Sequence, residues 1–143
     1  MSDRPVILIT GTSKGIGKYL SHYYASYGYD VIGCSRGKID FKIENYRHFY
    51  LDISDENQLK EMFKAVKIEY GRLDALINNA GLTSTNYAML LNADHIKSVY
   101  ATNVIGTMLA SREAIKIMKK KVWANTEYFE HSCSAYDSWD NSL

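Results

Sequence analysis

Two cysteines among 143 residues, a net charge of +1 and no apolar run near membrane-spanning length set the first boundaries. Cys34 and Cys133 build no disulfide framework and match no metal spacing, so a reducing compartment, the cytoplasm, is the expectation. The four histidines stand apart from one another, and no metal site is expected. Near-neutral charge gives no electrostatic reason for nucleic acid or an anionic membrane as a partner. The apolar stretch near the start is too short for a signal-peptide core and follows Asp3-Arg4. With those classes set aside, 46% hydrophobic and 23% charged residues describe an ordinary globular chain. Its length suits one domain with a real core and is too short for two.

The most informative stretch is Thr10-Gly11-Thr12-Ser13-Lys14-Gly15-Ile16-Gly17, directly behind the apolar run Val6-Ile7-Leu8-Ile9. It reads as a strand that ends in a glycine turn and opens into a helix. Such a junction presents unpaired backbone N–H groups and the positive end of a helix dipole to an anion. Gly11 permits the tight turn, Gly15 lets a pyrophosphate approach the backbone, and Gly17 lets the helix pack close to the sheet. A P-loop is excluded by spacing. That motif needs four residues before its Gly-Lys pair and then Ser or Thr, whereas here five precede Gly17-Lys18 and Tyr19 follows.

Further along, Ile16, Tyr19, Leu20, Tyr23, Tyr24 and Tyr27 keep a helical spacing up to Gly28, a stripe suited to a core or an interface. Val31 to Cys34 and Arg47 to Ile53 read as strands. Ser54 or Asp55 can cap the next helix, whose apolar stripe is Leu59, Met62, Phe63, Val66 and Tyr70. Gly71 ends it, and Leu73 to Ile77 forms a fourth strand. Asn92 or Asp94 can cap a long helix running to about Met118. Strands alternating with helices predict parallel βαβ units, with helices on both faces of one sheet.

Four segments in this order, the glycine turn, Asp52 at the end of the third strand, Asn78-Asn79-Ala80-Gly81 and Thr102-Asn103-Val104, resemble the short-chain dehydrogenase/reductase family. The glycine turn is similar to that of 3-oxoacyl-carrier-protein reductases. The resemblance covers residues 4 to about 121. It implies an α/β fold, a Rossmann-type doubly wound parallel sheet, here truncated after about four strands, with coenzyme across the carboxyl ends of the strands. It implies that Gly11, Ser13, Gly15, Ile16 and Gly17 line the pyrophosphate. Asp52 and Ile53 would flank the adenine, and Asn79, Ala80 and Gly81 the ribose on the nicotinamide side. Asn103 would be a member of the catalytic tetrad, helping to hold a water linked to the catalytic lysine. The implied partners are a nicotinamide dinucleotide and a small carbonyl or alcohol substrate, in proteins that are usually homo-oligomers through the helix carrying Asn103.

The coenzyme follows from charge. An NAD enzyme usually carries an acidic residue at the end of the second strand, for the ribose 2′-hydroxyl. Here that point reads Cys34-Ser35-Arg36. Arg36 offers a two-pronged donor for a 2′-phosphate and Lys14 adds a second cation, so NADP(H) is expected, with NAD(H) the alternative.

The family's tyrosine, with a lysine four residues later and a serine on the preceding strand, has no counterpart in this sequence. Tyr128 is followed at that distance by Ser132, and Tyr136 by Asp140. A catalytically incomplete chain is therefore expected, with Asn103 the remaining tetrad member. A dinucleotide-binding sensor or partner subunit without chemistry is the second reading. Composition also changes at Lys121: the last 22 residues hold four acidic residues, both tryptophans and no lysine or arginine. This divides the chain into a dinucleotide-binding domain (1–121) and an atypical tail (122–143). A one-base frame shift across Val122 to His131 permits Gly-Arg-Ile-X-Asn-Ile-Ser-Ser-Ile, which is close to the family's fifth strand and includes its serine. With or without such a shift, Leu76-Ile77 would sit at an open, apolar sheet edge, and either low solubility or burial of that edge by the tail or a partner is expected.

Overall fold

The computed structural model describes residues 3–83 and 92–118. Strands β1 (Val6–Thr10), β2 (Asp30–Ser35), β3 (Tyr46–Tyr50) and β4 (Ala75–Ile77) form one parallel sheet in the order β3-β2-β1-β4. Helix α1 (Gly15–Ser26) joins β1 to β2 and α2 (Glu56–Tyr70) joins β3 to β4, whereas residues 36–45 between β2 and β3 hold no helix, a break in the expected alternation. After β4 come α3 (Ala93–Tyr100), a π-helical stretch (Ala101–Gly106) and α4 (Thr107–Ile115). This is the predicted α/β architecture, a Rossmann-type sheet with helices on both faces.

Side-chain alternation along β1 builds the two halves of the core. Val6 and Leu8 join Ile32 and Cys34 against Leu59, Met62, Phe63 and Val66 of α2 and Ala110 and Ala114 of α4. Ile7, Ile9 and Val31 face the other way, onto Leu20, Tyr24 and Ala25 of α1. Every β1 residue is at most 2% exposed, because a central parallel strand is covered on both faces and so reads as an unbroken apolar run.

Of the two predicted caps for α2, Asp55 serves. Its Oδ1 accepts from the backbone N–H groups of Asn57 (2.9 Å) and Gln58 (3.1 Å). Gly71 closes the helix at φ +67°, in the left-handed region that glycine enters without a Cβ penalty. Asn92 caps α3 through Oδ1, which accepts from His95 N–H at 2.8 Å.

Several boundaries differ from the sequence reading. β3 stops at Tyr50, because Asp52 enters a turn in which its carboxylate accepts from both the N–H and the hydroxyl of Ser54. β4 begins at Ala75 instead of Leu73. The long helix is interrupted by the π-helical stretch and ends at Ile115. The α1 stripe divides: Leu20 and Tyr24 pack on the sheet, whereas Tyr19 and Tyr27 are 67% and 68% exposed. Six positions at that spacing cover a wider arc than one helix-sheet contact can bury.

Among the described residues β4 is an edge strand, as expected, and no helix is long and apolar enough to cross a membrane. The tail from 122 onward, and with it the frame-shift reading, lies outside the described residues.

Phe63 is 2% exposed and Ile68, on the same helix, 74%. Phe63→Ala is expected to cost about 3–5 kcal/mol in urea unfolding. Ile68→Ala should stay within about 0.5 kcal/mol of the parent.

Candidate functional site

At the carboxyl end of the sheet, Thr10 organises the junction between β1 and β4. Its Oγ1 accepts from the backbone N–H groups of Asn79 and Ala80, both at 3.0 Å. Asn79 answers through Nδ2, which donates to the carbonyls of Thr10 (2.9 Å) and Gly11 (3.1 Å). Two strand ends distant in sequence are thereby sewn together, with buried backbone groups satisfied by side chains.

That junction dictates two glycines. Gly11 has φ +75°, and a Cβ on it would lie 2.7 Å from Cα of Ala80. A Cβ on Gly17 would strike the Gly11 carbonyl oxygen and come within 2.6 Å of Asn79 Nδ2. Gly15 also has a positive φ, but nothing lies within 4 Å of the place a Cβ would take. Its freedom is needed for the turn and leaves the backbone open on the outer side.

The amino terminus of α1 differs from those of α2 and α3. Lys14 occupies its cap position without a side-chain hydrogen bond, and no acidic residue lies in the first turn. The amides of that turn have no partner within the helix. They border a cleft of about 670 Å³ that runs along the carboxyl ends of the strands. Gly11, Ser13, Lys14, Gly15 and Ile16 form one wall, Arg36, Asp52 and Ile53 another, and Asn79, Ala80 and Gly81 a third. The structure thus brings together the residues singled out in the sequence, except two. Gly17 sits behind the turn as a spacer. Asn103 turns to the segment after β4, where Oδ1 accepts from Leu82 N–H and Nδ2 donates to the Leu82 carbonyl, each at 2.8 Å. It lies in the π-helical stretch, a helix irregularity often found at functional sites.

Sequence reasoning missed Ser35, Gly37, Leu51 and Thr102 as lining residues. It also missed a polar chain behind the cleft. Thr12 Oγ1 meets the Tyr46 hydroxyl at 2.7 Å, which meets His48 Nδ1 at 2.6 Å, while His48 Nε2 lies 3.1 Å from Ser35 Oγ. Only part of the signal was present: Tyr46 and His48 are two apart on β3 and therefore share a face, while their reach to Thr12 depends on strand register.

Charge in the cleft centres on Arg36 and Asp52, whose Nη1 and Oδ2 are 3.5 Å apart. Partial burial works against ionisation of Asp52. Hydrogen bonds from Ser54 and the nearby guanidinium outweigh it and hold the carboxyl below its usual value. Cys34 is different in kind: burial pushes its thiol up to about 12, leaving it neutral and inert. No group of residues suited to a metal ion occurs among the described residues.

A parallel sheet of this order, with a glycine turn and a cleft along its carboxyl edge, defines a Rossmann-type nucleotide-binding protein. The short chain dehydrogenase family profile matches residues 5–125, and the chain belongs to that family. The 3-oxoacyl-[acyl-carrier-protein] reductase FabG of Vibrio cholerae is 30% identical over 122 residues, covering 81% of this chain and 50% of that protein. Among solved structures, a short-chain dehydrogenase of Leptospira borgpetersenii with bound NAD+ superposes with a TM-score of 0.77 at 26% identity, covering 82% of this chain and 47% of its own. ElxO with NADP bound gives 0.72 at 29% identity, covering 79% and 50%. The chain thus spans about half the length of the relatives it matches.

Asn79→Ala would leave the Thr10 and Gly11 carbonyls short of a donor and is expected to cost about 1–3 kcal/mol. Gly17→Ala should cost at least as much, because backbone must move. Chemical denaturation of each variant against the parent measures both.

Proposed function

We infer that this chain is the coenzyme-holding half of a short-chain oxidoreductase, and that the nicotinamide dinucleotide it takes is NADP(H) in preference to NAD(H). The observation that carries the reading is the uncapped amino terminus of α1, opening on a cleft that also holds Arg36 at the tip of β2 with no carboxylate at that position. A pyrophosphate would lie on the amides of Gly15 and Ile16 at the start of α1, where main-chain donors and the helix dipole both favour negative charge. Ser13 and Ile16 would flank it, Asp52 and Ile53 would bracket the adenine, and Asn79 to Gly81 the far ribose. Arg36 and Lys14 would receive the 2′-phosphate. Relatives bearing NADP and NAD+ support the coenzyme class.

Bound there, the coenzyme supplies hydride for exchange with a carbonyl or alcohol in the whole protein. The residues of this chain bind and orient it. Asn103 shapes the segment after β4 through Leu82, a supporting role in any tetrad. No tyrosine of the sequence is followed four residues later by a lysine. The general acid-base contribution of such a pair, about 10²–10⁴-fold, would therefore be missing from the 143-residue chain.

Titration calorimetry tests the reading. NADPH should bind more tightly than NADH, and Arg36→Glu should weaken NADPH by about tenfold or more while changing NADH less. Absence of heat from either coenzyme with folded protein overturns the assignment, and tighter NADH binding overturns the preference. Purified 143-residue chain should show no carbonyl reduction above background. Robust turnover would refute its catalytic incompleteness.

A further inference from the structure

The polar chain behind the cleft connects two parts of its wall. Thr12 belongs to the glycine turn. Ser35 and Gly37 belong to the tip of β2, and the Ser35 hydroxyl donates to the Gly37 carbonyl at 2.9 Å. Gly37 in turn comes close to Ser13, since a Cβ on it would lie 3.5 Å from the Ser13 hydroxyl oxygen. Thr12 and Ser35 are buried, so their hydroxyls depend on protein partners. Gly33 makes room for the chain: a Cβ there would strike the Tyr46 hydroxyl and lie 2.5 Å from Thr12 Oγ1.

Given the Ser35–Gly37 bond, counting assigns the hydrogens along this chain, with Thr12 Oγ1 also 3.4 Å from His48 Nδ1. Ser35 has one hydrogen, and it goes to Gly37. Towards His48, Ser35 can only accept, so His48 Nε2 must carry the proton. The neutral ring then offers a lone pair at Nδ1, which takes the Tyr46 phenol hydrogen. Tyr46 oxygen remains as acceptor for the Thr12 hydroxyl. Every donor points one way, from Thr12 through Tyr46 to His48, and onward to Ser35 and Gly37. A second proton on the ring would place a hydrogen at Nδ1, facing the one on Tyr46, and break the sequence.

We propose that Tyr46 and His48 are positioning residues for coenzyme discrimination: the neutral imidazole holds the Ser35–Gly37 tip of β2 in register with the glycine turn, and so sets how the 2′ substituent is received. This rests on the dinucleotide reading above. Neither side chain reaches the cleft wall itself; both act through Thr12 and Ser35. The ionisable groups packed on the ring are the phenols of Tyr46 and Tyr50, with ring centroids 5.8 and 4.7 Å away. Burial pulls the His48 pKa below its ordinary value, and burial likewise pushes the Tyr46 phenol up to about 12, so both are neutral near pH 7. The Arg36–Asp52 pair occupies the cleft side of the tip. An unfolded histidine takes its proton near pH 6.5 and the folded His48 only lower. Stability linked to His48 is therefore present above about pH 6.5 and is lost as pH falls through its folded pKa.

The test measures NADPH and NADH dissociation constants for the full chain, Tyr46→Phe and His48→Phe, between pH 5.5 and 8.5. At pH 8 each variant should shift the NADPH-to-NADH affinity ratio by about three- to tenfold, the scale of one or two hydrogen bonds. Lowering the pH should bring the parent's ratio towards that of the variants. Titration of the 2′-phosphate is common to all three chains and cancels in that comparison. A defect of general stability would weaken both coenzymes alike and leave the ratio alone. A ratio within twofold of the parent's in both variants overturns the proposal and leaves the dinucleotide reading standing. If the parent binds neither coenzyme, both fall. Nitrogen-15 spectra of the parent give an independent readout: the neutral His48 ring should carry its proton on Nε2, and a proton on Nδ1 overturns the proposal whatever the variants do.

Discussion

The clasp between Thr10 and Asn79 is the constraint from which the rest of the site follows. One hydroxyl accepts from two amides of the segment after β4, and one side-chain amide donates to two carbonyls of the glycine turn. Because both sides of the exchange are buried or half-buried, losing either would strand polar groups in a low-dielectric setting. The clasp draws β1 and β4 together at their carboxyl ends, and the closeness it enforces leaves no room for a Cβ at Gly11 or Gly17. The open backbone at Gly15 and the uncapped start of α1 then become the near side of a cleft, where the amides are available for an anion.

The fold was legible because its signals are local. Continuous apolar residues in β1, the Leu59-Met62-Phe63-Val66 stripe, and Gly71 each report a structure built within a few residues. The cleft was legible for a similar reason, since each of its walls is a short segment following a strand. Tertiary geometry decided what was missed. Nothing local reveals that Tyr46 and His48 reach across β2 to Thr12, because the register that aligns them depends on the pairing of Gly33 with His48. The end of β3 was overestimated for a comparable reason: Leu51 and Ile53 are apolar and buried, yet they serve the packing of a turn and not a strand.

Arg36 and Asp52 place a paired cation on the cleft wall. The ion pair sits on the cleft surface, where solvent screens it and its net worth is small. A dianionic phosphate arriving at Arg36 would compete with a single carboxylate already held by Ser54. Asp52 can keep its hydroxyl and amide donors while the guanidinium turns away, so the exchange costs little. An arginine already paired at the cleft in this manner loses less freedom on capturing an anion than one free in solvent.

The π-helical stretch between α3 and α4 gives Asn103 its place. A wide turn of this kind absorbs one residue more than the regular helix it interrupts. The helices on either side can therefore keep their faces: Ala110 and Ala114 still pack on the sheet, while the widened turn aims an amide at Leu82. Removal of one residue from Ala101–Gly106 would accordingly be absorbed as a tightening of the coil, with the flanking packing preserved and the grip on Leu82 released. The core and the loop anchor are thus separable along a single continuous rod, and evolution could edit the second without disturbing the first.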